Sequence, residues 1–406
     1  MQLSACDRVR LSEQVLALAV GLEGAGVDVS VAGPIGGSLR VRLSRAGLPW
    51  VWVPFPEEGE DPRAAVAALT KLLASGAPAV LHAHGLPALR LAIAARARLA
   101  PSRRSALVAT LYETPPQLTG LAQWRATPRL RAWLREAVAV LVPSPAHREA
   151  LVNLVGPVAQ GAEVVHPLLV ARSSLSGAEA GFRRHRLGIS GHAAIIGLST
   201  GFSGPEPSTF LRAATRVLDA LGNVEFVLIG EGPGLEAARR QAHDLGLGGA
   251  STFITAPPSL PEVLSVLNLL VVLDDAGAAH MDALQALRFG VPLITAPLPS
   301  LAEVLPSFPE TRVLEEISAR QVAEAIQSAL HVLPDAPGAP GSGEIESTLS
   351  LTQYLGLDTN WNVIPTAESG RARPAAGNAA SLALGDYSTE AVVAQVCELY
   401  QRVAGD

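Results

Sequence analysis

LLVVLDDAGAAHMDALQALRFGVPLITAP, residues 269–297, holds one complete structural repeat of the chain. An apolar run, LLVV, ends at the acidic pair Asp274 and Asp275. A loop of small residues follows, then the helical pattern MDALQALRFG, then a second apolar run in VPLITAP. Short apolar runs bounded by turn residues read as strands covered on both faces. A strand, a helix and a second strand in so short a stretch read as a right-handed parallel crossover.

The same rhythm extends in both directions. Toward the C-terminal side, SARQVAEAIQSALHVL (318–333) reads as a helix. Toward the N-terminal side come the strand STFITA and the helix LPEVLSVLN, VEFVLIGEGP (224–233) with the helix GLEAARRQAHDLGL, and AAIIGLST (193–200) with PSTFLRAATRVLDALG. The first half repeats it: helix 12–26 and strand VDVSVAG, helix 64–76 and strand AVLHAHG (79–85), then SALVATLYE, AVLVPS and AEVVHPLL, each with a helix before it. Strands alternating with helices predict an α/β protein made of two tandem doubly wound, Rossmann-like domains. The expected divisions are an N-terminal domain over 1–170, a C-terminal domain over 171–386 and a closing helix over 387–406. Residues 334–349, rich in Pro, Gly and Ser, predict an exposed loop.

Composition narrows the class. A chain of 406 residues is too long for one ordinary core, and 49% hydrophobic residues suffice for two. The net charge of −6 argues against a nucleic-acid partner. Two cysteines, Cys6 and Cys397, form neither a disulfide framework nor a metal-ligand spacing, so no metal is expected. Cys397 reads as a buried core thiol. No apolar run long enough to cross a membrane occurs, and MQLSACDRVRLSEQ has no apolar signal region, so a cytoplasmic location is expected.

Several motifs in order carry a resemblance: HAHG (82–85), VATLY (108–112), VLVPSPAHREAL (140–151), FRRHRLGI (182–189), VLIGEGP (227–233), QALRFGVPLIT (285–295) and SLAEV (300–304). Together they resemble the family 4 glycosyltransferases of the GT-B fold. That resemblance implies retaining transfer of a sugar from a nucleotide-sugar donor to a glycan or lipid acceptor, without a metal. It places the acceptor on the first domain and the donor on the second, and it implies that the closing helix crosses back to the first domain.

The chemistry the resemblance implies has clear needs. A departing nucleoside diphosphate gains negative charge, which cations and helix N-terminal amides stabilise. The family's arginine and lysine after the first strand of the second domain fall on Thr200 and Pro205, and the only lysine of the chain is Lys71. The family's two donor-loop glutamates fall on Gly277 and Gln285. Its cleft histidine falls on Tyr112, and its opening glycine pair on Val9 and Arg10, so the opening strand is expected to be truncated or degenerate. The polar loop between the domains reads HPLLVA, with nothing polar after His166.

Candidates remain, each beside a plainer reading. Gly230, Glu231, Gly232 and Pro233 form a turn that either cradles a donor or merely joins strand to helix. Gln285 and Thr200 stand where a donor would contact the second domain. His82, His84 and Tyr112 either line the cleft or shape its loops. Asp274 and Asp282 form a shifted carboxylate pair, with His280 nearby, that either takes over catalysis or complements a helix dipole. QWRATPRLRAWLRE (123–136), with Trp124, Arg125, Arg129, Arg131, Trp133 and Arg135, either docks on the inner face of a membrane or covers the sheet. Three readings stay open: a pseudoenzyme acting as a scaffold beside partner glycosyltransferases in polysaccharide or glycolipid synthesis, an active retaining enzyme with rearranged carboxylates, and a non-catalytic nucleotide or sugar sensor.

Overall fold

The computed structural model of the chain describes residues 1–4, 9–34, 38–56, 60–113, 120–170, 177–189, 193–255, 260–274, 279–332 and 384–405. The expectations placed on Cys6, Gly277 and the loop 334–349 lie outside these residues.

The first domain holds β1 (Gln2–Ser4), α1 (Val9–Gly24), β2 (Val31–Gly33), α2 (Ser38–Arg45), β3 (Trp50–Trp52), α3 (Arg63–Ser75), β4 (Val80–His84), α4 (Gly85–Arg96), β5 (Ala106–Thr110), α5 (Gly120–Glu136), β6 (Ala139–Val142), α6 (Pro145–Val155) and β7 (Glu163–Val164). Its strands lie in the order β3-β2-β1-β4-β5-β6-β7, all parallel. The second holds α7 (Gly177–Arg186), β8 (Ala194–Ser199), α8 (Glu206–Leu221), β9 (Val224–Ile229), α9 (Leu235–Asp244), β10 (Ser251–Ile254), α10 (Leu260–Val266), β11 (Leu269–Val272), α11 (Ala279–Arg288), β12 (Leu293–Thr295), β13 (Arg312–Val313) and α12 (Ala319–Val332). Its order is β10-β9-β8-β11-β12-β13, again all parallel. The strand order reverses between β1 and β4 in one sheet and between β8 and β11 in the other. Ligand crevices of open parallel sheets form at such points.

The opening strand is short, as expected: β1 has only three residues, yet it pairs with both β2 and β4 at the centre of its sheet. Three residues are too few to show a period, and only Leu3, fully buried, marks the strand. The segment after β2 also forms α2 and the edge strand β3, which the sequence reading passed over.

Local chemistry sets the boundaries. Ser144 caps α6, its Oγ accepting from the His147 N–H, with Pro145 at the first helical position. Gly290 ends α11 at φ 67. The long helix α8 buries Phe210, Leu211, Ala214 and Val217, a stripe at helical spacing, against its sheet.

The closing helix, α13 (Thr389–Ala404), starts at a Ser388 cap and buries Val392, Val393, Val396 and Leu399 against α1 of the first domain. A Cβ on Gly21 of α1 would lie 2.3 Å from Val393 Cγ2, so only glycine allows this approach. Cys397 is half-buried at the margin of that core, more open than the core thiol expected, because it lies beside the packed face of α13. Tyr387, just before this helix, is buried in the second domain's core instead. Among the described residues no helix is long and apolar enough to cross a membrane.

Candidate active site in the interdomain cleft

The second-domain wall is built at the ends of β8 and β11. Ser199, the last residue of β8, donates from Oγ to Asp282 Oδ2 at 2.5 Å. The next residue, Thr200, donates from Oγ1 to Asp274 Oδ2 at 3.0 Å and accepts the Phe202 N–H at 3.3 Å. Thr200 and Asp282 are fully buried, whereas Asp274 is half-buried. The carboxyl of Glu206, the first residue of α8, is pushed up by burial and, secondarily, by neighbouring Asp274. It folds back over Gly204, where an added Cβ would meet Glu206 Oε2. Two carboxylates therefore stand at the loop that carries Thr200 and Pro205.

The turn over Gly230–Pro233 lies directly on that loop. A Cβ on Gly232 would come within 1.8 Å of the Gly201 carbonyl oxygen, and the Gly234 N–H donates to the Phe202 carbonyl at 2.8 Å. Its glycines thus bring backbone against backbone, while Glu231 and Pro233 face solvent. Phe202 sits in left-handed backbone at φ 48, the one non-glycine residue with positive φ among those described.

Helix α11 carries three of the candidates, His280, Asp282 and Gln285, all buried. The His280 ring meets His147 of α6 at 4.6 Å between centroids. Met281 packs on Tyr112 and Leu11. Gln285 bonds the crossover between domains: Nε2 donates to the Val170 carbonyl at 2.9 Å and Oε1 accepts the Val170 N–H at 3.0 Å.

The first-domain wall is a neutral network. Gln2 Nε2 donates to the Tyr400 hydroxyl at 2.8 Å, and Gln2 Oε1 accepts from His84 Nε2 at 2.5 Å. His84 Nδ1 then accepts from the Tyr112 hydroxyl at 3.1 Å. The Tyr400 hydroxyl lies 2.6 Å from His82 Nδ1, and His82 Nε2 lies 2.6 Å from Thr110 Oγ1. The pattern closes when both imidazoles carry their proton on Nε2. Burial drives the His84 pKa down to about 3 and His82 well below 6.5, with His84 adding to the shift at His82. It raises the Tyr112 and Tyr400 hydroxyls. His82 and His84 therefore sit beneath the cleft surface, 1% exposed, and do not line an open cavity. They stack on each other at 4.3 Å. A cavity of about 30 Å³ lies between the domains beside Gln14, Leu169, Pro261, Met281 and Gln285.

Gln2, Thr110 and Tyr400 join the site from distant sequence, as do Gln14, His147, Ser199 and Glu206. Thr110 and His147 lie within VATLY and VLVPSPAHREAL, while no motif marks the others, each recruited by a neighbour across the fold. Among the described residues no three His, Cys, Asp or Glu side chains are grouped to hold a metal ion.

Two parallel doubly wound domains that face each other across a cleft, with a last helix returning to the first, make this a GT-B protein. Residues 11–168 match the glycosyl transferase 4-like domain, and residues 205–333 match the glycosyl transferases group 1 domain. The chain belongs to the glycosyltransferase family 4-like proteins of the GT-B fold. Among solved structures it is similar to Anabaena HepE in complex with UDP and glucose, at 15% identity over 98% of this chain and 99% of that one, with TM-score 0.68. It is also similar to sucrose-phosphate synthase from Thermosynechococcus elongatus, at 16% identity over 99% and 98%, with TM-score 0.66. A third is WaaG, a glycosyltransferase involved in lipopolysaccharide biosynthesis, at 14% identity over 82% and 90%, with TM-score 0.58. No curated protein sequence matches significantly.

Proposed function

We propose that this chain is a glycosyltransferase-family protein that has given up donor chemistry and acts by binding, as a scaffold beside active glycosyltransferases in glycan or lipid assembly. The observation that carries the reading is the pair Asp274 and Glu206 at the β8–α8 loop, with Thr200 and Pro205 in place of cations. A diphosphate brought there would meet like charge. Loss of two charge-assisted contacts alone costs about 3–6 kcal/mol, roughly 10²–10⁴-fold in affinity. The remaining candidates are engaged elsewhere: Asp282 with Ser199, Gln285 with Val170, His280 against His147. The site of action in this reading is the cytoplasm, at the inner face of a membrane reached through the exposed Arg129 and Arg135 of α5.

Calorimetric titration of UDP, GDP and UDP-glucose into the purified chain tests it. The expected result is no binding up to millimolar concentration; micromolar binding overturns the reading. One observation favours a second reading, an active retaining enzyme: Asp274 is only half-buried at the end of β11 and keeps a carboxylate at the cleft. Donor-dependent sugar transfer lost in Asp274→Asn would establish it. A melting shift with nucleotide but no turnover would favour a sensor.

A further inference from the structure

We infer that a pair of glutamines, Gln14 and Gln285, clamps the interdomain crossover and holds the two domains at one fixed angle. The crossover passes through Leu168, Leu169 and Val170. Gln14 of α1 donates from Nε2 to the Leu168 carbonyl at 3.0 Å and accepts the Leu168 N–H at Oε1 at 2.8 Å. Gln285 of α11 makes the same two bonds to Val170, two residues later, from the other domain. Each side-chain amide thus makes the pair of bonds a neighbouring strand would make. Between them, the Leu169 N–H donates to the Tyr387 carbonyl of the return crossover at 3.0 Å. The Tyr387 ring stacks on His166 at 4.1 Å, so the two crossovers are joined to each other.

The side chains divide in the same way. Leu168 lies in the first domain's core and Leu169 in the second's. Domain closure needs a few hinge residues free to absorb large backbone rotations. Here the backbone groups on both sides of Leu169 are gripped, one by each domain, and Leu169 itself is bonded. Both glutamines are 6% exposed, so a rotation that broke either pair would strand buried donors and acceptors away from water. The His147–His280 and Tyr112–Met281 contacts would have to part in the same motion. A fold whose relatives are built around a cleft is thereby made a single rigid body. The inference stands on the clamp alone, so it holds or fails separately from the loss of donor chemistry.

Native-state amide exchange with small-angle scattering tests it, on the wild-type chain, Gln14→Ala, Gln285→Ala and the double variant. In the wild type, the Leu168 and Val170 amides should exchange as slowly as those of β4. Each alanine should speed exchange at its own crossover residue about tenfold or more, with β4 and β8 unchanged, and the double variant should give a broader scattering envelope. Fast exchange at Leu168 and Val170 in the wild type overturns the clamp, as does a double variant with unchanged exchange and scattering. Should the double variant fail to fold, the wild-type exchange rates still decide.

Discussion

Acid should loosen this protein through its buried histidines, by an amount the structure allows one to work out. His84 is neutral in a hydrogen-bonded, fully buried site, with its pKa lowered to about 3. His147, packed between its Ser144 cap and the His280 ring, is lowered to about 4 by burial. Both folded values lie below the ordinary value of 6.5, so the unfolded chain binds the proton first. The stability these groups confer is complete above 6.5 and is lost as pH falls from 6.5 toward 4 and 3. At about pH 5 each contributes a loss of about 2 kcal/mol relative to about pH 7.5, or about 4 kcal/mol for the two. His82 adds to the loss in the same direction. Domains are stable by only about 5–15 kcal/mol, so the effect is large. Urea unfolding midpoints at the two pH values would measure it. In His147→Gln the acid-induced loss should shrink by about 2 kcal/mol, whatever that variant does to stability at neutral pH. Equal midpoints at the two pH values would refute the reasoning, and so would a His147→Gln variant that keeps the whole acid loss.

Other perturbations probe particular contacts. Gly232→Ala would set a Cβ 1.8 Å from the Gly201 carbonyl oxygen, so it should cost about 1–3 kcal/mol or more, read as a lower melting temperature. Tyr400→Phe removes the hydroxyl shared by Gln2 and His82; a loss of about 1–3 kcal/mol is expected, with faster exchange of the α13 amides. Ser199→Ala removes a 2.5 Å donor from the fully buried Asp282 carboxylate. It should destabilise by about 1.5–3 kcal/mol, and the loss should lessen in the double variant with Asp282→Asn. Cosedimentation with anionic vesicles should fall in Arg129→Glu/Arg135→Glu; equal binding by the variant would remove α5 from any membrane role.

Much of the architecture is legible in the primary structure because parallel sheets covered by helices write themselves as short apolar runs between amphipathic ones. That pattern gives the two domains, most of the strands and the helices apart from α2 and α7. It misses β1, whose three residues are set by pairing with β2 and β4 rather than by any period of their own. The replacements at Thr200, Pro205, Gln285 and Tyr112 are expectations of the family resemblance, because they concern residue identity at positions the resemblance assigns.

What those residues do instead was decided only by the tertiary structure. Gln285 reads as a weakened ribose ligand until Val170, 115 residues away in sequence, is found between its two amide atoms. His82 and His84 read as either cleft-lining or loop-shaping residues, and only the fold brings Gln2 and Tyr400, from opposite ends of the chain, to close over them. Asp274 and Asp282 read as either a carboxylate pair or a complement to a helix dipole, and only the fold shows Thr200 and Ser199 of another strand engaging them separately. The physical reason is the same in each case. Periodicity records which face of an element is buried, a property of neighbouring residues. A buried polar group must instead find its partner wherever the packed fold brings one, and that choice depends on contacts between residues far apart in the chain.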